Sequence, residues 1–184
     1  QEAIYKKTTE VYPNDYRAFN NVAAIEFAKG NDAEAKSYLA KAQSINGNAA
    51  EVNANLGLLA LKSGNLSEAE NYIAKGNTAG DYNKVLGSLN LAKGDYATAE
   101  QNLSGINCNT TALAQILNKN YAGAATTLGN IENKDAITDY LQAILNARKG
   151  NNDAASSYLK SALQKDSSLS TYANNDLELS KVSK

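Results

Sequence analysis

The sequence has no histidine, methionine or tryptophan, and only one cysteine and one proline among 184 residues. Without histidine there is no Ser-His-Asp or Cys-His device, no imidazole metal site and no switch working through ordinary imidazole titration. The single Cys108 can close no internal disulfide and supplies no cysteine cluster for a metal. It sits in the polar connection Asn107-Cys108-Asn109, with no basic neighbour to lower its pKa and away from the chain ends where lipidation signals lie. Neither glycine-rich phosphate loop, GxGxxG nor GxxxxGK[ST], occurs. No cofactor and no enzymatic activity are therefore expected. A net charge of −1 gives no bulk attraction to nucleic acid or to an anionic membrane. No apolar run approaches the roughly 18 residues that a membrane span needs. The lack of methionine extends to position 1, which makes a processed chain or an excised piece the expectation, with any signal peptide outside the sequence.

Hydrophobic residues make up 43% and charged residues 20%, the balance of a folded soluble domain. The organising stretch is Asn53 to Gly76. Leu56, Leu59 and Ala60 fall at helical spacing, and Gly57 marks a close approach by a neighbour. Lys62-Ser63-Gly64 ends that helix, because glycine adopts the left-handed conformation without a Cβ clash. Asn65 suits an N-cap, and Glu68 completes a box-like first turn. Leu66, Ala69, Tyr72 and Ile73 then form the stripe of a second helix. The unit is an αα-hairpin, which alone would leave one face uncovered.

The same layout recurs. Phe19 to Ala23 leads to Gly30-Asn31, followed by Ala35, Leu39 and Ala42. Gly30 and Gly64 are 34 residues apart, and Gly94 follows after 30, with Leu86-Gly87 before it and Asp95-Tyr96 and Ala99 after it. This phased series of Leu-Gly, Gly-Asp-Tyr and Ala resembles the tetratricopeptide repeat (TPR) family over nearly the whole chain. The resemblance implies an all-α fold, a right-handed superhelix of antiparallel helix pairs closed by a C-terminal capping helix.

On this reading residues 1–184 form one array. Residues 1–12 are the second helix of a truncated repeat, with Tyr5 and Val11 on its buried side. Repeats follow at 16–46, 50–76, 81–106 and, short and degenerate, 109–130, where Asn120-Tyr121 replaces the glycine hinge. A fifth repeat spans 136–165 and a capping helix 167–182. The C-terminus reads as natural and the N-terminus as cut. Carboxylates such as Glu68, Glu70 and Glu100 fall on solvent faces. Tyr38, Tyr72, Tyr96, Tyr121 and Tyr158 read as packing residues. Three sequons, beginning at Asn65, Asn102 and Asn109, lie in an asparagine-rich sequence where caps and turns account for most amides.

In the resemblance, first helices line the concave surface. By phase that surface holds Asn20, Ala24, Phe27, Ala54, Leu58, Leu61, Lys84, Ser88 and Leu91, then Leu113, Ile116, Tyr140, Ile144 and Arg148. Of these, Asn20, Phe27, Leu58, Leu61, Lys84, Leu91, Tyr140 and Arg148 are the candidate partner-binding residues. Exposed apolar surface of this kind marks a partner site, and a groove suits an extended peptide or a helix. Tight curvature or the C-terminal helix could equally bury part of it. The Lys/Asn/Arg clamp that some TPR proteins use for a terminal carboxylate is missing, because Asn20, Ala24 and Asp81 stand at its positions and only Asn55 is compatible. The expected function is a protein-interaction scaffold within a larger bacterial envelope protein, with a protein partner, no nucleic acid and no membrane insertion by this segment. The closing run, Tyr140 to Leu169, resembles the end of TPR regions in secreted or outer-membrane-linked bacterial proteins, some joined to an OmpA-like domain. A periplasmic or outer-membrane-associated place is expected, a cytoplasmic one being the alternative. The alternative function is a glycan- or small-molecule-binding module of a transport system, stacking its ligand on Tyr140 or Phe27.

Overall fold

A computed structural model describes residues 2–183. Among the described residues every regular element is helical, as the repeat pattern requires. The chain divides into two compact units, residues 1–94 and 95–184, and the division falls inside the stretch 81–106.

The first unit contains α1 (Glu2–Val11), α2 (Tyr16–Ala28), α3 (Asp32–Ile45), α4 (Ala50–Lys62), α5 (Leu66–Lys75) and α6 (Tyr82–Lys93). Helix α2 pairs with α3 and α4 with α5 across turns in which Gly30 and Gly64 take φ of +82° and +76°. No other residue type enters that region without a steric penalty, so the two glycines fix where each helix reverses. Asn65 then caps α5 as its spacing predicts, accepting from the Glu68 N–H while its amide donates to the Glu68 carboxylate at 2.8 Å. Gly57 is needed for pairing, because a Cβ there would lie 2.5 Å from Cγ1 of Ile73. One core joins Phe19, Leu39, Val52, Leu56 and Leu59, and a second joins Ala54, Ala69, Ile73, Val85 and Leu89. Each large aliphatic side chain buried this way contributes roughly 1.5–3 kcal/mol from water exclusion.

First helices of successive pairs also meet directly. The Tyr16 hydroxyl donates to Glu51 at 3.0 Å, and the Asn55 amide donates to Oδ1 of Asn20 at 2.9 Å. Lys62 lies over the Phe27 ring, 5.1 Å from its centroid. All three links join residues 35 apart, which is the stacking of one repeat on the next. Helix α1 packs on α2, but its Val11 is 56% exposed rather than buried. Ion pairs hold this helix instead: Lys6 reaches Glu2, Glu34 and the fully buried Glu26, and Lys29 reaches Glu2 at 2.8 Å.

The second unit contains α7 (Tyr96–Asn102), α8 (Asn109–Leu117), α9 (Tyr121–Asn130), α10 (Ala136–Arg148), α11 (Asn152–Lys165) and α12 (Ser170–Asn175). Helices α8 and α9 pair, as do α10 and α11. At the α8–α9 turn the left-handed position falls to Lys119, at φ 63°, with Asn120 capping the next helix. Glu100, expected on a solvent face, is half-buried and accepts from the amides of Asn118 and Asn120, tying α7 to this turn. Ala112, Ile116, Ala124, Leu128, Leu141 and Leu145 form the core between α8, α9 and α10. Tyr158 is exposed rather than packed, because the buried stripe of α11 runs through Ala155, Leu159 and Ala162, one position away. Over 167–182, where a single helix is expected, the chain makes a 3₁₀ turn (Ser167–Leu169), the six-residue α12 and a second turn (Leu177–Leu179). Asp166 and Asp176 cap the two turns, and the extended backbone at Asp176 ends α12.

Candidate functional site: the first-helix faces

Three candidate pairs sit on the first helices of the first unit: Asn20 and Phe27 on α2, Leu58 and Leu61 on α4, Lys84 and Leu91 on α6. Residues three, four or seven apart on a helix fall on one stripe, so each helix presents its pair along one face. Phe27, Leu58, Leu61 and Leu91 are half-buried, and Lys84 is exposed. Leu58 and Leu61 pack against the Ala54–Val85 core while keeping part of their surface outside it. Asn20 is largely buried, at 7% exposure, and its carbonyl is taken by Asn55. That pairing makes Asn20 a strut between α2 and α4, and engages the one clamp-compatible amide.

Tyr140 and Arg148, on α10 of the second unit, are placed differently. The Tyr140 hydroxyl donates to Oδ2 of Asp176 at 2.7 Å, and burial together with that carboxylate pushes its pKa up. Arg148 grips Glu178 with two parallel bonds, Nε to Oε2 at 2.9 Å and Nη2 to Oε1 at 2.6 Å. Its remaining Nη1 donates to the Ile116 carbonyl at 2.7 Å, on α8. Bidentate geometry of this kind is the strong form of the guanidinium–carboxylate pair. Hydrogen bonding to Arg148 holds the Glu178 carboxyl below the usual range. Both side chains are thus bound to the C-terminal segment, which stacks on α10 with a spacing close to that of Glu51 on Tyr16. Ile116 is fully buried, and Leu113 packs beside it.

A cleft of about 770 Å³ opens where α10 meets that segment, lined by Ile137, Tyr140, Leu169, Thr171, Tyr172, Asn175 and Asp176. Tyr172, 72% exposed, was not singled out from the sequence. Its signal was the four-residue spacing to Asp176, whose partner is Tyr140. The other polar clusters are structural. Asp135 caps α10 and accepts from Asn109 while Thr138 donates to both. Burial works to raise the Asp135 carboxyl, but the Thr138 and Asn109 bonds outweigh it and hold it below its ordinary value. The Asn65 and Asn109 sequon amides are engaged in caps and struts, and Asn102 also has a partner. Cys108 touches the Thr111 hydroxyl at 3.3 Å. No helix among the described residues is long and apolar enough to cross a membrane.

Comparison with known proteins bears on the fold. The tetratricopeptide repeat family profile matches residues 16–48, which span α2, α3 and the turn between them. No curated protein matches the sequence. Among solved structures, a tetratricopeptide repeat protein from Parabacteroides merdae superposes with a TM-score of 0.66 at 15% identity, over 90% of this chain and 71% of that one. PilW, a widely conserved type IV pilus biogenesis factor, gives a TM-score of 0.62 at 20% identity, over 97% and 87%. Pseudomonas aeruginosa PilF gives 0.59 at 17%, over 96% and 85%. Residues 16–48 are a tetratricopeptide repeat, and the chain around them has the all-helical paired fold of tetratricopeptide repeat proteins.

Proposed function

We propose that this chain is a protein-interaction scaffold that holds a peptide or helix of a partner protein on the first-helix faces of its first unit. The observation that carries this reading is the half-buried apolar row of Phe27, Leu58, Leu61 and Leu91, which three stacked helices present side by side next to the exposed Lys84. Apolar groups left part-exposed at regular spacing match the anchor spacing of a bound amphipathic segment. Lys84 adds a cation at the rim, where a partner carboxylate would gain orientation more than affinity. Tyr140 and Arg148 contribute to such a surface only through the segment they hold. The likeness in fold to a type IV pilus biogenesis factor favours a bacterial envelope setting, periplasmic or outer-membrane-associated, over a cytoplasmic one.

The test is a paired pull-down from an envelope extract of the organism of origin, using the chain and its Leu58→Asp variant with matched helical circular dichroism. A partner retained by the first and lost with the second supports the reading. Equal recovery by both contradicts it.

A second reading, a glycan-binding module, is favoured by the cleft that sets Tyr140 and Tyr172 beside Asn175 and Asp176. Aromatic faces with neighbouring amide and carboxylate groups suit a sugar ring. Glycan-array binding that disappears with Tyr172→Ala would support it, and binding unaffected by that change would exclude this cleft.

A further inference from the structure

The sequence holds a single Asn-Gly pair, Asn46-Gly47, in the connection that leads from α3 to α4. An asparagine followed by glycine carries its own electrophile and nucleophile, the side-chain Cγ and the next backbone nitrogen. Glycine has no Cβ to hold that nitrogen away from the side-chain carbonyl. Helices suppress the reaction, because they bind the N–H to a carbonyl four residues earlier and fix ψ. That protection covers Asn55, Asn90 and Asn146, whose next residues lie inside α4, α6 and α10. Asn77, in an exposed loop, is followed by the stiff, β-branched Thr78 instead.

At Asn46 the helical protection ends. The residue closes α3 with φ −146° and ψ 87°, outside the helical region. Its own N–H still bonds the Ala42 carbonyl, but the Gly47 N–H meets no acceptor among the described residues. Gly47 is exposed and Asn46 half-buried. The Asn48 N–H donates to Oδ1 of Asn46 at 3.2 Å, a turn that draws electron density from Cγ and makes it the better electrophile. Bringing the Gly47 nitrogen onto Cγ needs rotation about ψ of Asn46. The bond that resists this rotation, from the Ala49 N–H to the Asn46 carbonyl, is long at 3.3 Å.

We propose that Asn46 deamidates spontaneously in the folded chain, which makes it a self-modification site in the connection between the first two repeats. The Gly47 nitrogen gives up its proton and bonds to Cγ, and the Cγ–Nδ2 bond breaks so that Nδ2 leaves as ammonia with a proton. Water then opens the cyclic imide at either carbonyl, giving aspartate or isoaspartate at 46. The consequence falls on Asn53, which is 1% exposed and donates its amide to the Gly47 and Ala49 carbonyls at 3.0 and 2.8 Å. Those bonds tie the connection to α4. Isoaspartate routes the main chain through Cβ and lengthens it by one carbon ahead of Gly47. That shift draws the Gly47 carbonyl off the buried amide and weakens the join between α3 and α4.

The test follows the 184-residue chain in mildly alkaline buffer by tryptic peptide mapping, with tandem mass spectra to place each change, beside the same chain in urea. The folded chain exchanges NH2 for OH at Asn46 ahead of every other asparagine, Asn77 included, and at a rate close to that in urea. The product separates into aspartyl and isoaspartyl peptides. Gly47→Ala slows the exchange by about tenfold, and Asn46→Gln stops it. An Asn46 that stays intact in the folded chain overturns the proposal, whether or not it converts in urea. So does conversion that leads at another asparagine or ignores Gly47→Ala. The converted chain, isolated by anion exchange, melts below an Asn46→Asp variant, which carries the new charge without the longer main chain. Equal melting overturns the loss assigned to the Asn53 tie.

Discussion

The faces of α4 and α10 come from the same kind of element and end in opposite conditions. On α4, Leu58 and Leu61 stay part-exposed beside Phe27 and Leu91. On α10, Tyr140 and Arg148 are bound by Asp176 and Glu178. A repeat presents a first-helix face by default, and what distinguishes a docking surface from a structural joint is whether later chain comes back to cover it. The turns also differ. Gly30 and Gly64 in the first unit, and Gly150 between α10 and α11, reverse the chain without strain, whereas Lys119 between α8 and α9 takes a left-handed conformation that an L side chain adopts at an energetic penalty.

The comparison can be broken by changing one side at a time. The largest effect is expected at the α4–α5 contact. Ile73, 1% exposed, fills the space against Gly57, so Ile73→Ala should lower unfolding free energy by about 2–5 kcal/mol in urea titration. Gly57→Ala should cost about 1–3 kcal/mol in the parent and much less in the Ile73→Ala background, because alanine at 73 lacks the Cγ1 that the new Cβ would meet. Additive losses would mean the two residues do not share the space.

Next comes the α10 joint. Arg148→Ala removes the donor of Glu178 and one of the donors of the Ile116 carbonyl, which keeps the Lys119 N–H, so about 1–3 kcal/mol should be lost. Arg148→Lys should restore little, because an ammonium cannot make the parallel pair. If alanine at 148 is neutral by thermal denaturation, the C-terminal segment is not held as described.

Much of this was legible in the sequence because it is local. Gly64, Asn65 and Glu68 specify a turn and a cap within five residues, and Leu56, Ala69 and Ile73 specify the packed faces by spacing alone. The engagement of Tyr140 and Arg148 was not legible. Their partners lie about 30 residues downstream in a segment whose Asp and Glu look like ordinary solvated charges. Glu26 was missed for a similar reason: a carboxylate in an apolar helix becomes interpretable only once Lys6 and Asn31 are seen beside it. Val11 misled because a helical stripe shows which face is apolar but not whether anything covers it.

A smaller effect is expected at the hinges. Lys119→Gly should raise stability by about 1 kcal/mol, whereas Gly64→Ala, made in the same left-handed region, should lower it by about 1–2 kcal/mol. Thermal melts of the two variants should therefore move in opposite directions. Shifts in the same direction would remove the contrast between the Gly64 and Lys119 turns.

The smallest effect is the pH response at α1. Hydrogen bonding to Lys29 and then Lys6 lowers the Glu2 carboxyl to about 2, and the Asn31 amide leads the lowering at Glu26. A carboxyl lower in the folded than in the unfolded chain stabilises fully above its unfolded value. That contribution is lost as pH falls from about 4.5 towards 2. Amide protection factors in α1, taken against the intrinsic exchange rate at each pH, should fall over this interval, and less so in Glu2→Gln. Identical acid profiles for parent and variant would show that these ion pairs do not hold the helix.

The claim that the face of the first unit is the open one is tested most directly by site-specific photo-crosslinking at Lys84 on α6 and, in parallel, at Gln142 on α10, in an envelope extract. The account predicts a partner adduct at 84 that disappears when Leu58→Asp is added, and none at 142. Capture at 142 with nothing at 84 would contradict it.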